Sequence, residues 1–152
     1  MGGEEQGYKI HLLREREETI SSFEREKLYL GSGEMKQTMK TKVYVDRSKY
    51  KGEFLEDKRH GVGIYYYSNG DVYGGSWRDD LFEGFGFYIF ASGERYEGEL
   101  KNGKKHGKGK YYYINGGVYE GTWAFDNKNG NGIYTYLHTK GENRWREAIL
   151  IN

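Results

Sequence analysis

The chain contains no cysteine, which excludes disulfides and thiolate metal sites and is compatible with a reducing compartment. No apolar run approaches the roughly 20 residues that a bilayer-spanning helix needs. The first residues include Glu4 and Glu5 and lack an apolar core segment, so neither a signal peptide nor a typical transit peptide is visible. Met1-Gly2 begins like a myristoylation signal, but Gln6 stands where Ser or Thr is expected. An excess of one charge is missing too. There are 24 basic and 23 acidic side chains, for a formal charge of +1. The balance holds locally, with ten basic and nine acidic residues in 1–49 and fourteen of each in 50–152. This argues against nucleic acid as the main partner and against anionic-membrane binding by bulk charge. No Gly-x-Ser-x-Gly nucleophile elbow or phosphate-binding glycine loop appears. No catalytic constellation, small-molecule substrate or cofactor is expected.

What is present is a repeat. Tyr50, Tyr73, Tyr96 and Tyr119 are 23 residues apart. Counting from each, offset two is Gly52, Gly75, Gly98 and Gly121, and offset four is Phe54, Trp77, Leu100 and Trp123. Offsets eleven and thirteen are the glycine pairs Gly61/Gly63, Gly84/Gly86, Gly107/Gly109 and Gly130/Gly132. Offsets fifteen and seventeen are aromatic in every copy: Tyr65/Tyr67, Tyr88/Phe90, Tyr111/Tyr113 and Tyr134/Tyr136. Gly70, Gly93 and Gly116 close the first three units. So many matched positions at one period define an internal repeat array.

A 23-residue unit is too short for strand–helix–strand and too rich in glycine for two helices, where each glycine costs about 1 kcal/mol against alanine. Each unit instead predicts two short strands and a turn. In the second unit Tyr73–Trp77 is one strand, Arg78–Phe82 the turn and Gly84–Phe90 the other strand. Alternation places Tyr73, Gly75 and Trp77 on one face, and glycine between large rings lets a neighbouring ring lie over bare backbone. The expected fold is an all-β repeat array of consecutive antiparallel hairpins in an elongated single-layer sheet, with a short N-terminal helix. Units share their rings, so stability is shared between neighbours. Low apolar content (36%) is offset by sixteen tyrosines, whose hydroxyls can stay wet in a thin structure.

The pattern Tyr-x-Gly-x-Trp followed by Gly-x-Gly and a closing glycine resembles the MORN repeat (membrane occupation and recognition nexus). The likeness covers 50–143 as four repeats: 50–72, 73–95, 96–118 and 119–143. The fourth departs, with Thr139 at the place of the closing glycine and Gly141 two residues late, so a lengthened last turn is expected. The flanks are an arm, 1–27, with a helix expected from about Lys9 to Lys27; a degenerate capping segment, 28–49; and a C-terminal capping strand, 144–152. The arm either packs on the first strand of the array or docks on a partner. The resemblance implies a non-catalytic scaffold or protein-interaction subunit of a large assembly. Cytoskeletal settings follow, ciliary axoneme assemblies such as radial-spoke heads foremost, with an accessory subunit of an organellar complex as an alternative. It also implies, as another alternative, a peripheral phosphoinositide-binding tether between membrane and cytoskeleton. Expected partners are other protein subunits, with at most weak membrane contact, and the expected location is cytoplasmic, at the cytoskeleton or cilium. Such repeats can accompany lipid-kinase or methyltransferase domains, but too little chain lies outside the array for a catalytic domain.

Candidate sites follow from parity and charge. If Gly63, Tyr65 and Tyr67 share one face, then Ile64, Tyr66, Phe87, Ile89, Tyr112 and Ile133 lie on the other. Unless the arm folds back over it, that row is a partner-binding surface. Lys101, Lys104, Lys105, Lys108 and Lys110 crowd the third unit, where a lysine-rich turn that blunts aggregation is the favoured reading and an anionic-lipid patch the alternative. His60 and His106 share one offset two units apart, about 19 Å along the stack, too far to share a metal. Glu56-Asp57 and Asp79-Asp80 read as solvated turn residues.

Overall fold

The computed structural model describes residues 14–28, 31 and 38–151. The expectations for Met1–Gly7, for His11 and for most of the segment before residue 38 lie outside the described residues. A helix, α1, covers residues 14–23 and ends in a wider π turn over Glu24–Leu28. Ten strands follow: β1 (Thr38–Val43), β2 (Lys49–Leu55), β3 (Lys58–Tyr66), β4 (Val72–Arg78), β5 (Leu81–Ile89), β6 (Arg95–Lys101), β7 (Lys104–Tyr112), β8 (Val118–Ala124), β9 (Asn127–Lys140) and β10 (Asn143–Ile151). They form one sheet in chain order, each strand antiparallel to the next. Nine steps of about 4.8 Å make a ribbon about 43 Å long.

The turn inside each unit is tighter than expected. The residues between β4 and β5 are only Asp79 and Asp80, with φ of 47° and 69°, the left-handed pair of a type I′ hairpin. Phe82 is therefore a strand residue, paired with Trp77. Glu56-Asp57, Asn102-Gly103 and Phe125-Asp126 repeat the geometry.

The two glycines of each pair have different reasons. Between the pairings Gly52–Gly63 and Phe54–Arg59, the single residue Glu53 faces residues 60–62. This bulge needs a left-handed residue, and Gly61 supplies it with φ 66°. Its equivalents Gly84, Gly107 and Gly130 have φ of 91°, 62° and 71°. Gly63 is extended, but a Cβ there would overlap the Tyr50 ring. That ring is fully buried, and its hydroxyl donates to the bulge carbonyl Glu53 O at 2.9 Å. Tyr73 and Tyr96 make the same bond to Ser76 O and Glu99 O, each at 2.7 Å.

The face bearing Tyr50, Tyr73, Tyr96 and Tyr119 is called the front. Its core also holds Phe54, Tyr65, Trp77, Leu100 and Trp123. On the back, α1 lies over β3–β5. Ile20, Phe23 and Leu28 pack against Ile64, Val72, Phe87 and Ile89, and Phe23 meets Phe87 edge-on at 5.4 Å. Arg16 donates to Gly70 O at 2.9 Å, Glu15 pairs with Arg95 at 3.1 Å, and Tyr66 donates to Glu24. The described part of the arm, from residue 14, thus packs on the back of units one and two rather than on the first strand of the array.

Both ends depart from the repeat. β1 pairs with β2 from Thr38–Phe54 to Val43–Lys49, covering the first unit's edge. At the other end it is the strand, not the turn, that is lengthened: β9 runs through Thr139 to Lys140, and only Gly141 and Glu142 separate it from β10. Without the closing glycine, nothing in β9 breaks the extended chain until Gly141, which has φ 60°.

Candidate functional site

Offsets fifteen and seventeen build the most continuous surface feature. On the front, rings touch in one unbroken series: Tyr44, Tyr65, Tyr67, Tyr88, Phe90, Tyr111, Tyr113, Tyr134, Tyr136, His138 and Trp145. Successive centroids are 4.3 to 6.3 Å apart. Most of these rings are half-buried, with one flank on the core and one in solvent. Aromatic contacts of this kind add about 0.5–1.5 kcal/mol each beyond area burial.

The offset-fifteen hydroxyls anchor the ladder. Tyr88 donates to Asp71 Oδ2 at 2.7 Å, while Asp71 Oδ1 accepts the Ala91 N–H at 2.7 Å. Tyr111 and Glu94 repeat this, with the Ile114 N–H as the second donor. In unit one Tyr65 meets Ser48 Oγ at 2.7 Å. Burial, then the carboxylate bonds, push the Tyr88 and Tyr111 pKa values up. Burial and neighbouring Tyr65 push Tyr67 to about 12. Tyr67, Tyr88 and Tyr111 are therefore neutral at physiological pH.

Offset nine was overlooked at the level of sequence, because its residue types differ: Arg59, Phe82, Lys105 and Lys128. The structure brings all four to the front. Arg59 lies 4.9 Å over Trp77, Lys105 5.3 Å over Trp123, and Lys128 4.8 Å over Tyr119. Lys40 and Lys42 of β1 cover Phe54 and Tyr44. Reading that column beside the aromatic ones would have found the cations.

The back-face row is largely occupied by the chain itself. Ile64, Phe87 and Ile89 are buried beneath α1, and Tyr66 is tied to Glu24. Tyr112 lies under the Arg95 guanidinium at 4.1 Å. Arg95 is itself buried between Glu15 and Glu97, its Nε 2.9 Å from Glu97 with the N–H aimed off the carboxylate. Ile133 alone of the six stays open, at 46% exposure. The row was a docking surface only if the arm stayed away, and the arm folds back.

The five lysines do not form one patch. Lys105 points to the front and pairs with Asp126 at 3.7 Å, whereas Lys110 lies between Glu97 and Glu120 on the back. Lys101 and Lys104 flank the Asn102-Gly103 turn, and Lys108 is exposed on the bulge. His60 sits in β3 with a buried Nδ1 that has no hydrogen-bond partner, and His106 in β7 meets Phe125 edge-on. Among the described residues no three His, Asp or Glu side chains converge as a metal site. No helix among them is long and apolar enough to cross a membrane.

A comparison with curated proteins gives no match. The MORN repeat family matches four consecutive times, at residues 50–72, 73–95, 96–118 and 119–136. These segments are the hairpins that carry the Tyr cores, the glycine pairs and most of the ring ladder, and they make up more than half of the 152 residues. MORN repeats are a non-catalytic, all-β type that mediates protein or membrane interactions, and this chain belongs to the MORN-repeat family.

Proposed function

We propose that this chain is a non-catalytic scaffold subunit whose front face grips segments of other proteins in a large assembly. The ladder supports this reading: eleven touching rings run across the whole ribbon with one flank in solvent, while the opposite face is covered over β3–β5 by the chain's own helix. A contiguous exposed apolar stripe marks an interaction surface. For the setting we favour a cytoplasmic cytoskeletal complex, with ciliary assemblies of the radial-spoke kind foremost. That preference rests on the resemblance of the repeat alone.

The test uses two half-buried ladder rings at offset seventeen. Replacing Phe90 and Tyr113 together by alanine, followed by affinity purification from native material, is expected to lose the co-purifying subunits while the sheet stays folded. Recovery of the same subunits at unchanged yield would overturn the assignment. Phosphoinositide contact is the competing use, and the exposed Lys104 and Lys108 would be its residues. Changing both to Glu is expected to leave vesicle sedimentation unaltered.

A further inference from the structure

The three junctions between units are not equivalent. At the first, Arg59 of unit one covers Trp77 of unit two and pairs with Asp80 at 3.0 Å. At the third, Lys105 covers Trp123 and pairs with Asp126. In both, a tryptophan fills the space against the preceding unit's tyrosines: Trp77 meets Tyr50 and Tyr65, and Trp123 meets Tyr96 and Tyr111. Each indole N–H donates to the second paired glycine of that preceding unit, Gly63 O at 3.1 Å and Gly109 O at 3.2 Å. The middle junction replaces all three members. Phe82 stands for the cation, Leu100 for the tryptophan and Gly103 for the aspartate. Phe82 stacks back onto Tyr73 at 4.3 Å, and Leu100 lacks the ring that would follow it. A cavity of about 250 Å³ remains, walled by Phe82, Tyr88, Phe90, Tyr96 and Leu100 and lined also by the Lys105–Asp126 ion pair.

We propose that this cavity receives one large aromatic side chain, tryptophan foremost, from an acidic segment of a partner protein. The inference rests on the scaffold reading and adds the chemistry of the partner. The volume lies below the roughly 300–1,000 Å³ of small-molecule pockets and suits a single anchor residue of the kind that dominates interfaces. By repeat symmetry, Gly86 O is the acceptor for an incoming indole N–H, and among the described residues it receives no side-chain donor. The surrounding charge selects the rest of the segment. Lys128 has no carboxylate partner among the described residues, whereas its equivalents Arg59 and Lys105 meet Asp80 and Asp126. Lys40 and Lys42 likewise have none, and the front-face Glu147 is held by His138 at 2.8 Å. Lys128 lies three strands from Leu100, about 14 Å, so an extended partner would place a carboxylate about four residues from its aromatic anchor.

The test is amide and methyl NMR of the full chain with two probes. One is N-acetyltryptophanamide. The other is a synthetic peptide with one tryptophan and a glutamate four residues away, compared with its Trp→Ala and Glu→Gln forms. Shifts centred on Leu100, Gly103 and Tyr88 are expected, at least tenfold weaker for the Trp→Ala peptide and weakened by salt for the parent. Leu100→Trp should fill the cavity and reduce peptide affinity at least tenfold. The triple variant Phe82→Lys, Leu100→Trp and Gly103→Asp, which copies the flanking junctions, should do the same with a raised thermal midpoint and guards against overpacking by the single change. No shift at the cavity with millimolar probe, or equal binding by a folded triple variant, overturns the proposal. So does occupation of these residues by a second copy of the chain at high concentration, or by phosphoinositide vesicles instead of the peptide. If Leu100→Trp retains the native partners while the Phe90 and Tyr113 double variant loses them, the cavity assignment fails and the scaffold reading stands.

Discussion

The two faces of the sheet obey different rules. The front repeats every 23 residues, because each tyrosine core needs its own bulge, its own bare-backbone glycine and its own acceptor carbonyl within the same hairpin. The back does not repeat. It is apolar at Ile64, Val72, Phe87 and Ile89, where α1 lies, and charged at Glu97, Lys110 and Glu120 beyond it, with Arg95 at the border paired to Glu15 of α1. Even a glycine is used differently there: Gly74 breaks the front-face scheme and makes room for the Phe87 ring that meets Phe23. The helix's footprint is thus written on the strands it covers, and a face that satisfies itself leaves the other free to bind.

The largest blow to the front face should come from alkali. Burial first, and neighbouring acidic groups or tyrosines after it, raise the pKa of Tyr50, Tyr67, Tyr73, Tyr88, Tyr96 and Tyr111 above the ordinary 10.0. The unfolded chain then loses these protons first, so the stability they confer is complete below pH 10 and is lost as pH climbs toward 12. Circular dichroism against pH should show cooperative unfolding in that window, and a gradual, non-cooperative drift would contradict it. Next in size is Gly63→Ala, whose Cβ would overlap the Tyr50 ring. We expect a loss of about 3 kcal/mol in urea denaturation, and a loss below 1 kcal/mol would mean that the ring has room to move.

Phe23→Ala sharpens the comparison from the other side. It removes the ring against Phe87 and should cost about 2 kcal/mol, discounted from full burial. Hydrogen exchange should then rise in residues 14–28 but stay low in β4 and β6. Equal acceleration in the sheet would show that the back face holds the front together. The smallest effect belongs to Tyr50→Phe, which deletes one buried bond to Glu53 O and leaves an unpaired carbonyl. A change of about 1–2 kcal/mol is expected in the same titration.

Much of this architecture was legible because its causes are local. Positive φ at Gly61 and ring clearance at Gly63 lie within one hairpin, so spacing alone marks them. The two-residue turn at Asp79-Asp80 was less legible, since aspartate in a left-handed pair lacks the glycine that advertises one. The cations at offset nine were hidden because Phe82 interrupts the column.

By itself the sequence determined the period, the strand parity and the tyrosine cores, because alternation and backbone sterics act between near neighbours. Only the tertiary structure decided that α1 closes the back face and that the Leu100 junction is left unfilled. The first is a set of contacts across about 50 to 80 residues of chain, such as Arg16 to Gly70 and Glu15 to Arg95. The second depends on how three substitutions from two units meet in space, and no spacing along the chain encodes their joint volume.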